Sequence, residues 1–219
     1  EAGTAGEEKA AALIQETLSS FGVESRLEEF SFDTFQIKKA KLTITEPYTK
    51  EYTVTGYGRC ANTAEDGLKA PFVYAENGDD ISLAQVKGKI VMVNDPVRKD
   101  MYQKLVKAGA VGFISIAGSP LDEGVDLIPR AYGLPKNLPG EEKKAAGKEA
   151  QNYDNRISGV SIHYKDAIEL VTKGASQACL VVEQETVTRT SRNVVAQIEG
   201  TDKAEEILTL TAHYDSVPE

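Results

Sequence analysis

Few of the residues that usually carry chemistry occur in this chain, which has two cysteines, two histidines and no tryptophan. Cys60 and Cys179 lie far apart without CxxC spacing, so they fit neither a disulfide framework nor a zinc finger. We expect both to be ordinary packed thiols, with a single bridge between them as the alternative. The two histidines leave little room for mechanisms that need several imidazoles.

Positive charge and long apolar runs are also scarce. The 219 residues carry 25 Lys and Arg against 34 Asp and Glu, a net charge of −9 with no basic cluster, which excludes nucleic acid as an expected partner. The apolar runs are shorter than the roughly 20 residues of a membrane helix, so we expect no membrane segment. The first residues do not resemble a signal peptide, which leaves the compartment open between secreted or extracellular and cytoplasmic.

The first part of the chain changes from helical to β character. Thr4 followed by Glu7 is a capping-box pattern, apolar residues recur at helical spacing after it, and Gly22 predicts the end of this helix. Alternating polar and apolar residues then predict strands and hairpins. The segments KIVMVN and VGFISIA, joined by a predicted helix from Lys99 to Ala108 that ends at Gly109, predict a right-handed βαβ unit.

The second part begins with a predicted surface excursion from Ser119 to Asn155, rich in proline and charge. A short strand ending at His163 follows, then a short helix for which we predict Asp166 as the cap and Gly174 as the end. CLVVEQETV, SRNVVAQIEG and EEILTLTAHYDS predict three further strands. The fold class predicted from this pattern is α/β.

The two histidines differ in their surroundings. His163 has no acidic or cysteine partner at ligand spacing, which favours a structural or surface role. His213 follows a continuous apolar run, and the end of a buried strand is where open α/β sheets place their sites. Because side chains alternate along an extended segment, Asp215 lies on the same side as His213 and can hydrogen-bond one ring nitrogen while the other binds a metal. A lone His-x-Asp still leaves a structural histidine open.

Two segments in the expected order resemble the di-zinc aminopeptidases, the family that includes glutamate carboxypeptidase and the transferrin receptor. The first is GTAGEEKAAALIQETLSSFGVESRLEEF and the second is SRNVVAQIEGTDKAEEILTLTAHYDSVP. Between them, the segments VKGKIVMVN, KAGAVGFISIAG and GVSIHYKDAIELV resemble the protease-associated domain often inserted into such enzymes. The implied organisation is peptidase residues 1–41, an inserted domain at 42–185 and the start of the peptidase core at 186–219.

The resemblance implies a pair of zinc ions, with His213 as a metal ligand and Asp215 as the catalytic-site residue that orients it. Two metals can polarise a carbonyl group and generate a hydroxide nucleophile. The resemblance further implies that the remaining site residues lie beyond residue 219. These are the bridging aspartate, the paired glutamates, another acidic ligand and the second histidine. We therefore expect a piece of a longer aminopeptidase that acts on peptide substrates, with this piece alone inactive and without tightly bound zinc.

Further expectations concern the inserted domain and its flanks. The inserted domain is expected to gate substrate access or mediate interactions, and its two ends should lie close together. The face of the first helix is expected to bury against the last strands, a contact between Ala11, Ile14, Leu18 and Phe21 on one side and Val194, Ile198, Leu208 and Leu210 on the other.

Two other classes of protein remain as alternatives. The first is a non-catalytic, receptor-like binding protein of the same fold. The second is a subtilisin-like serine peptidase, which would need a histidine in a triad context that the chain does not show. Substrate preference and oligomeric state leave no mark in the sequence.

Overall fold

The structure is a computed structural model that describes residues 1–119, 121, 129, 131–138, 153–203 and 205–215. Most of the predicted surface excursion therefore lies outside the described residues. The chain divides into two compact units: unit 1 comprises Glu1–Thr34 with Val187–Glu219, and unit 2 comprises Phe35–Thr186. The assignment of residues 42–185 to a protease-associated domain stays a prediction.

The described helices and strands give an α/β fold, as predicted. In chain order they are α1 (Ala5–Ser20), β1 (Ser25–Glu46), β2 (Lys50–Tyr52), β3 (Val54–Gly56), β4 (Leu68–Tyr74), β5 (Ile90–Val93), α2 (Lys99–Lys107), β6 (Gly112–Ala117), β7 (Ser158–His163), α3 (Tyr164–Thr172) and β8 (Gln177–Ala196), with a short 3-10 helix at Ser82–Gln85. None of the described helices combines the length and the apolar character needed to cross a bilayer.

Helix α1 of unit 1 begins and ends where the sequence predicts. The Thr4 hydroxyl accepts a hydrogen bond from the Glu7 amide at 3.4 Å, which satisfies one of the free N–H groups of the first turn. Gly22 follows the C-cap residue with a φ of +73°, a left-handed conformation that glycine adopts without steric cost.

Unit 2 is built around a mixed sheet. The strand order is β2-β1-β8-β4-β5-β6-β7-β3, in which β4, β5, β6 and β7 pair in parallel. Strand β8 runs antiparallel to β4, and β3 runs antiparallel to β7. The predicted βαβ unit is confirmed as β5, α2 and β6, and Gly109 follows α2 with a φ of +80°.

The apolar core of unit 2 explains why its parallel strands read as continuous apolar runs. Every residue of β5, β6 and β7 is buried, as expected for parallel strands covered on both faces. The Tyr57 and Phe113 rings meet edge to face with centroids 4.9 Å apart. Gly159 of β7 gives the Phe113 ring its space, since a Cβ there would lie 2.1 Å from Phe113 Cζ.

The two ends of unit 2 lie side by side. Lys38 Nζ, near the first end, lies 2.6 Å from Glu185 Oε2, near the last end. Strands β1 and β8 are hydrogen-bonded neighbours in the sheet, and each of them contains one boundary between the units.

Helix α3 and strand β8 differ from the sequence prediction. The cap of α3 is His163 and not Asp166: His163 Nδ1 accepts a hydrogen bond from the Lys165 amide at 3.2 Å, and Asp166 lies in the first turn. This contact gives His163 the structural role that was predicted for it. The two strands predicted from CLVVEQETV and SRNVVAQIEG form one continuous strand, β8, because no turn residue separates them.

The prediction of a last strand at EEILTLTAHYDS is wrong. Residues 205–215 have no strand assignment, and no strand in the described part of the chain pairs with them. The predicted burial of the α1 face is met only in part. Ala11 is buried, and Ile14, Leu18 and Val194 are half-buried. Phe21, Ile198, Leu208 and Leu210 are exposed. An apolar strand becomes buried only when neighbouring strands and a second layer cover it, and the described residues provide neither.

Candidate metal-ligand segment

The sequence-predicted site residues lie together in a segment of unit 1 that has no helix or strand assignment. His213 Nδ1 and Asp215 Oδ1 are 3.1 Å apart, within hydrogen-bond distance. The His213 side chain is 95 % exposed. If the Nδ1 proton is donated to Asp215, the lone pair on Nε2 faces solvent, which is the arrangement that a metal-binding histidine requires. The roles of both residues stay predictions.

Tyr214, between these two residues, turns its side chain into unit 1. Its hydroxyl donates a hydrogen bond to the Arg192 carbonyl oxygen and lies 3.2 Å from Glu7 Oε1. Burial, followed by the negative charge of Glu7, raises the pKa of Tyr214 above its ordinary value. The hydroxyl therefore stays protonated and able to donate over the physiological pH range.

Glu7 of helix α1 is the acidic residue that receives these contacts, and its side chain is buried. Its Oε2 accepts a hydrogen bond from the Gly3 amide at 2.6 Å, and its Oε1 accepts one from the Ser191 hydroxyl. Burial disfavours the ionised carboxylate, but the hydrogen bonds from Ser191, Gly3, Arg192 and Tyr214 outweigh it and hold the pKa of Glu7 below its ordinary value. Glu7 is therefore a charged acceptor at neutral pH.

The GTAGE segment at the start of α1 is shaped to present this carboxylate. Gly3 has a φ of +70°, and a Cβ at this position would lie 2.8 Å from the Arg189 Cβ. Only glycine fits such a position without strain. The sequence predicts a capping-box role for Glu7 and places it in the GTAGE segment, but its long-range contacts leave no other local signal.

The described residues do not make a complete zinc site. Among them, no group of three His, Cys, Asp or Glu side chains lies close enough together to hold a metal ion. A catalytic zinc normally takes three protein ligands and a water molecule, and this segment offers one imidazole. The donor set present here thus does not fit a bound zinc ion by itself, and no reaction step follows from it.

Known structures and proteins resemble this chain over most of its length. A zinc aminopeptidase from Bacillus subtilis is 23 % identical, with a TM-score of 0.61 and with 89 % of this chain and 42 % of that one covered. A peptidase M28 precursor from Shewanella amazonensis is 19 % identical, with a TM-score of 0.61 and coverage of 93 % and 48 %. The chain has the fold of the matching part of these zinc peptidases. This confirms the predicted resemblance at the level of the fold.

A curated protein gives a similar result from sequence. Mouse carboxypeptidase Q is 23 % identical over 218 residues, which is 95 % of this chain and 44 % of the mouse protein. No protein-family model matches the chain. The chain spans less than half the length of each of these relatives.

Proposed function

We propose that this chain is part of a zinc-dependent aminopeptidase, in which His213 supplies one metal ligand and Asp215 orients it. The observation that carries the proposal is the hydrogen-bond distance of 3.1 Å between His213 Nδ1 and Asp215 Oδ1, which leaves Nε2 exposed for a metal. The fold shared with zinc aminopeptidases supports it. Asp215 also makes the imidazole Nε2 a stronger electron-pair donor to a metal, because its carboxylate stabilises the Nδ1 proton.

The remaining metal ligands and the general base are proposed to come from other parts of a longer protein. When bound, the two zinc ions would polarise the scissile carbonyl and activate a water molecule. The substrates would be peptides with a free amino terminus. Carboxypeptidase Q is named for cleavage at the carboxyl end of a peptide. Whether this protein cleaves at the amino or the carboxyl end must therefore be tested directly.

Unit 2 is proposed to gate access of substrate or to mediate an interaction. Its described residues contain no cluster of three His, Cys, Asp or Glu side chains that could hold a metal ion. Its buried polar residues His163 and Gln184 make hydrogen bonds within the unit, which is a structural use of those groups. A non-catalytic receptor-like function of the same fold is the alternative.

Substitution of His213 tests the proposed activity. In the full-length protein that contains this chain, His213→Ala should abolish hydrolysis of aminoacyl p-nitroanilides and remove at least one equivalent of zinc, while the thermal unfolding of unit 2 stays unchanged. N-blocked dipeptides serve as the carboxypeptidase control and should not be cleaved. His163→Ala is the matched imidazole control and should leave the zinc content unchanged.

Three results would overturn or redirect the proposal. A full-length wild-type protein that binds no zinc and cleaves neither substrate would favour the receptor-like alternative. Cleavage of the N-blocked dipeptides alone would make the enzyme a carboxypeptidase. The 219-residue chain alone is expected to be inactive and to bind zinc more weakly than micromolar, so tight binding by this chain would show a ligand set other than the proposed one.

A further inference from the structure

Among its described side chains, the segment from 205 to 215 has one long-range point of attachment, since the Glu206 carboxylate pairs only with the nearby Lys203. All its described residues are exposed except Tyr214, which is half-buried. No strand pairing holds its backbone within the described part of the chain. What fixes the position of His213 and Asp215 must therefore act largely through the residue between them.

Tyr214 reaches the interior of unit 1 through its hydroxyl. That hydroxyl binds the Arg192 carbonyl oxygen of β8 and lies 3.2 Å from the Glu7 carboxylate of α1. The carboxylate is itself fixed by the Gly3 amide at 2.6 Å and by the Ser191 hydroxyl. A continuous set of hydrogen bonds thus links the first turn of α1 and the end of β8 to the middle of the segment.

We infer that Glu7 and Tyr214 are positioning residues, which hold the His213–Asp215 pair in place by anchoring the backbone between them. His213 and Asp215 are exposed and Tyr214 between them is half-buried, so with the Tyr214 ring anchored both neighbours face away from the interior. An anchored backbone has already lost conformational freedom that a free segment would lose on binding a metal. The anchoring rests on the contacts alone, whereas its effect on zinc rests on the proposed function.

Two conservative substitutions separate the anchor from general packing. Tyr214→Phe removes the hydroxyl and keeps the ring, and Glu7→Gln keeps the shape and removes the charge. The matched control is Glu8→Gln. Glu8 lies next to Glu7 in the first turn of α1 but is exposed, and its carboxylate pairs with the Arg192 side chain at 3.2 Å. The double variant Glu7→Gln/Tyr214→Phe tests whether the two residues act as one unit.

The first measurement needs no metal. In the 219-residue chain, the backbone order parameters of residues 213–215 should fall from values typical of a rigid backbone, about 0.85, towards those of a flexible one, below about 0.6, in both single variants. The Glu8→Gln control should retain the wild-type values. The order parameters of helix α1, which lies in unit 1 with the segment, should not change in any variant, which would exclude unfolding of unit 1 as the cause.

The second measurement is zinc affinity in the full-length protein, by competition with a chelator. Loss of one hydrogen bond of ordinary net strength predicts a roughly five- to tenfold weaker affinity for Tyr214→Phe, with the double variant no weaker than the worse single one. Unchanged order parameters in both single variants would overturn the anchor, whatever the zinc result. A mobile segment with unchanged zinc affinity would overturn its link to the metal. Absence of zinc from the wild-type protein would instead refute the proposed function, and the order parameters would still decide the anchor.

Discussion

Single side chains in this molecule show how burial changes reactivity. The Cys60 thiol is buried, and its Sγ accepts hydrogen bonds from the Gly159 amide at 3.4 Å and from Gln184 Nε2 at 3.2 Å. Burial disfavours the thiolate and raises the pKa of Cys60 to about 11. Cys179, by contrast, is only partly buried. Both thiols are free in the structure, and Cys60 is packed in the interior as predicted.

The two thiols should therefore react at very different rates. At pH 8 we expect one rapid equivalent with Ellman's reagent, from Cys179, and a second only after denaturation, because the folded Cys60 has almost no thiolate and no access. Cys179→Ser should remove the rapid phase and Cys60→Ser should retain it. Two rapid equivalents in the folded chain would contradict the buried position of Cys60.

At the residue scale, the sequence predicted the features whose cause is local. Thr4 as a cap and Gly22 and Gly109 as helix ends depend on neighbours within a few positions. The contact between Glu7 and Tyr214 joins residues 207 positions apart, so no spacing rule could have found it. His163 took the capping role predicted for Asp166, because either side chain can accept from an amide in the first turn.

Among the elements, strand β7 depends on a residue with no side chain. Gly159 faces the Phe113 ring, and a Cβ there would approach three ring atoms to between 2.1 and 2.4 Å. Such distances force either the ring or the strand to move. The constraint is set across the sheet, by the parallel partner strand β6.

Gly159→Ala is therefore expected to lower the free energy of unfolding by about 1–3 kcal/mol through overpacking. The measurement is urea denaturation of the 219-residue chain. A smaller side chain at position 113 should relieve the clash. The loss of unfolding free energy caused by Gly159→Ala should therefore be smaller in a Phe113→Leu background. Gly200→Ala is the control, since its Cβ would meet nothing closer than the Lys203 carbonyl oxygen at 3.9 Å. An equal cost in both backgrounds would show that the ring is not the obstacle.

A helix or strand was predicted correctly where the sequence nearby also contains the partner to which it packs or hydrogen-bonds. Helix α2 and the strands on either side of it were predicted correctly, because their pattern contains the helix and both buried strands of one crossover unit. The segment EILTLTA is rich in apolar residues, as β5 is, but its pattern carries no information about a partner strand. In the structure it has none among the described residues, and it is exposed.

Considered as a whole molecule, the chain concentrates its apolar core in one unit. Every residue of the main buried cluster, from Leu42 to Val182, lies within unit 2. In unit 1 the buried residues among those described are Glu7, Ala11 and Ser191. Hydrophobic burial is the dominant favourable term in folding, so the two units should differ strongly in stability.

Residues 35–186 alone are therefore expected to fold and to unfold cooperatively in urea at nearly the same midpoint as the 219-residue chain. Leu105→Ala, which empties a fully buried position, should cost about 2–5 kcal/mol in both lengths of chain. Glu7→Gln should leave the midpoint of unit 2 unchanged in the longer chain. A non-cooperative transition of residues 35–186 would show that unit 2 needs the rest of the chain.

The pair of Lys38 and Glu185 has a consequence for the thermodynamics of chain insertion. The entropic cost of joining two points through a disordered loop rises by about 0.6 kcal/mol with each doubling of its length. A folded segment whose two ends already lie 2.6 Å apart at these side chains avoids most of that cost, because its own folding has brought the ends together. For the pairing of β1 with β8, the residues between these two strands thus have the effect of a tight turn, and their number can vary with little penalty on that pairing.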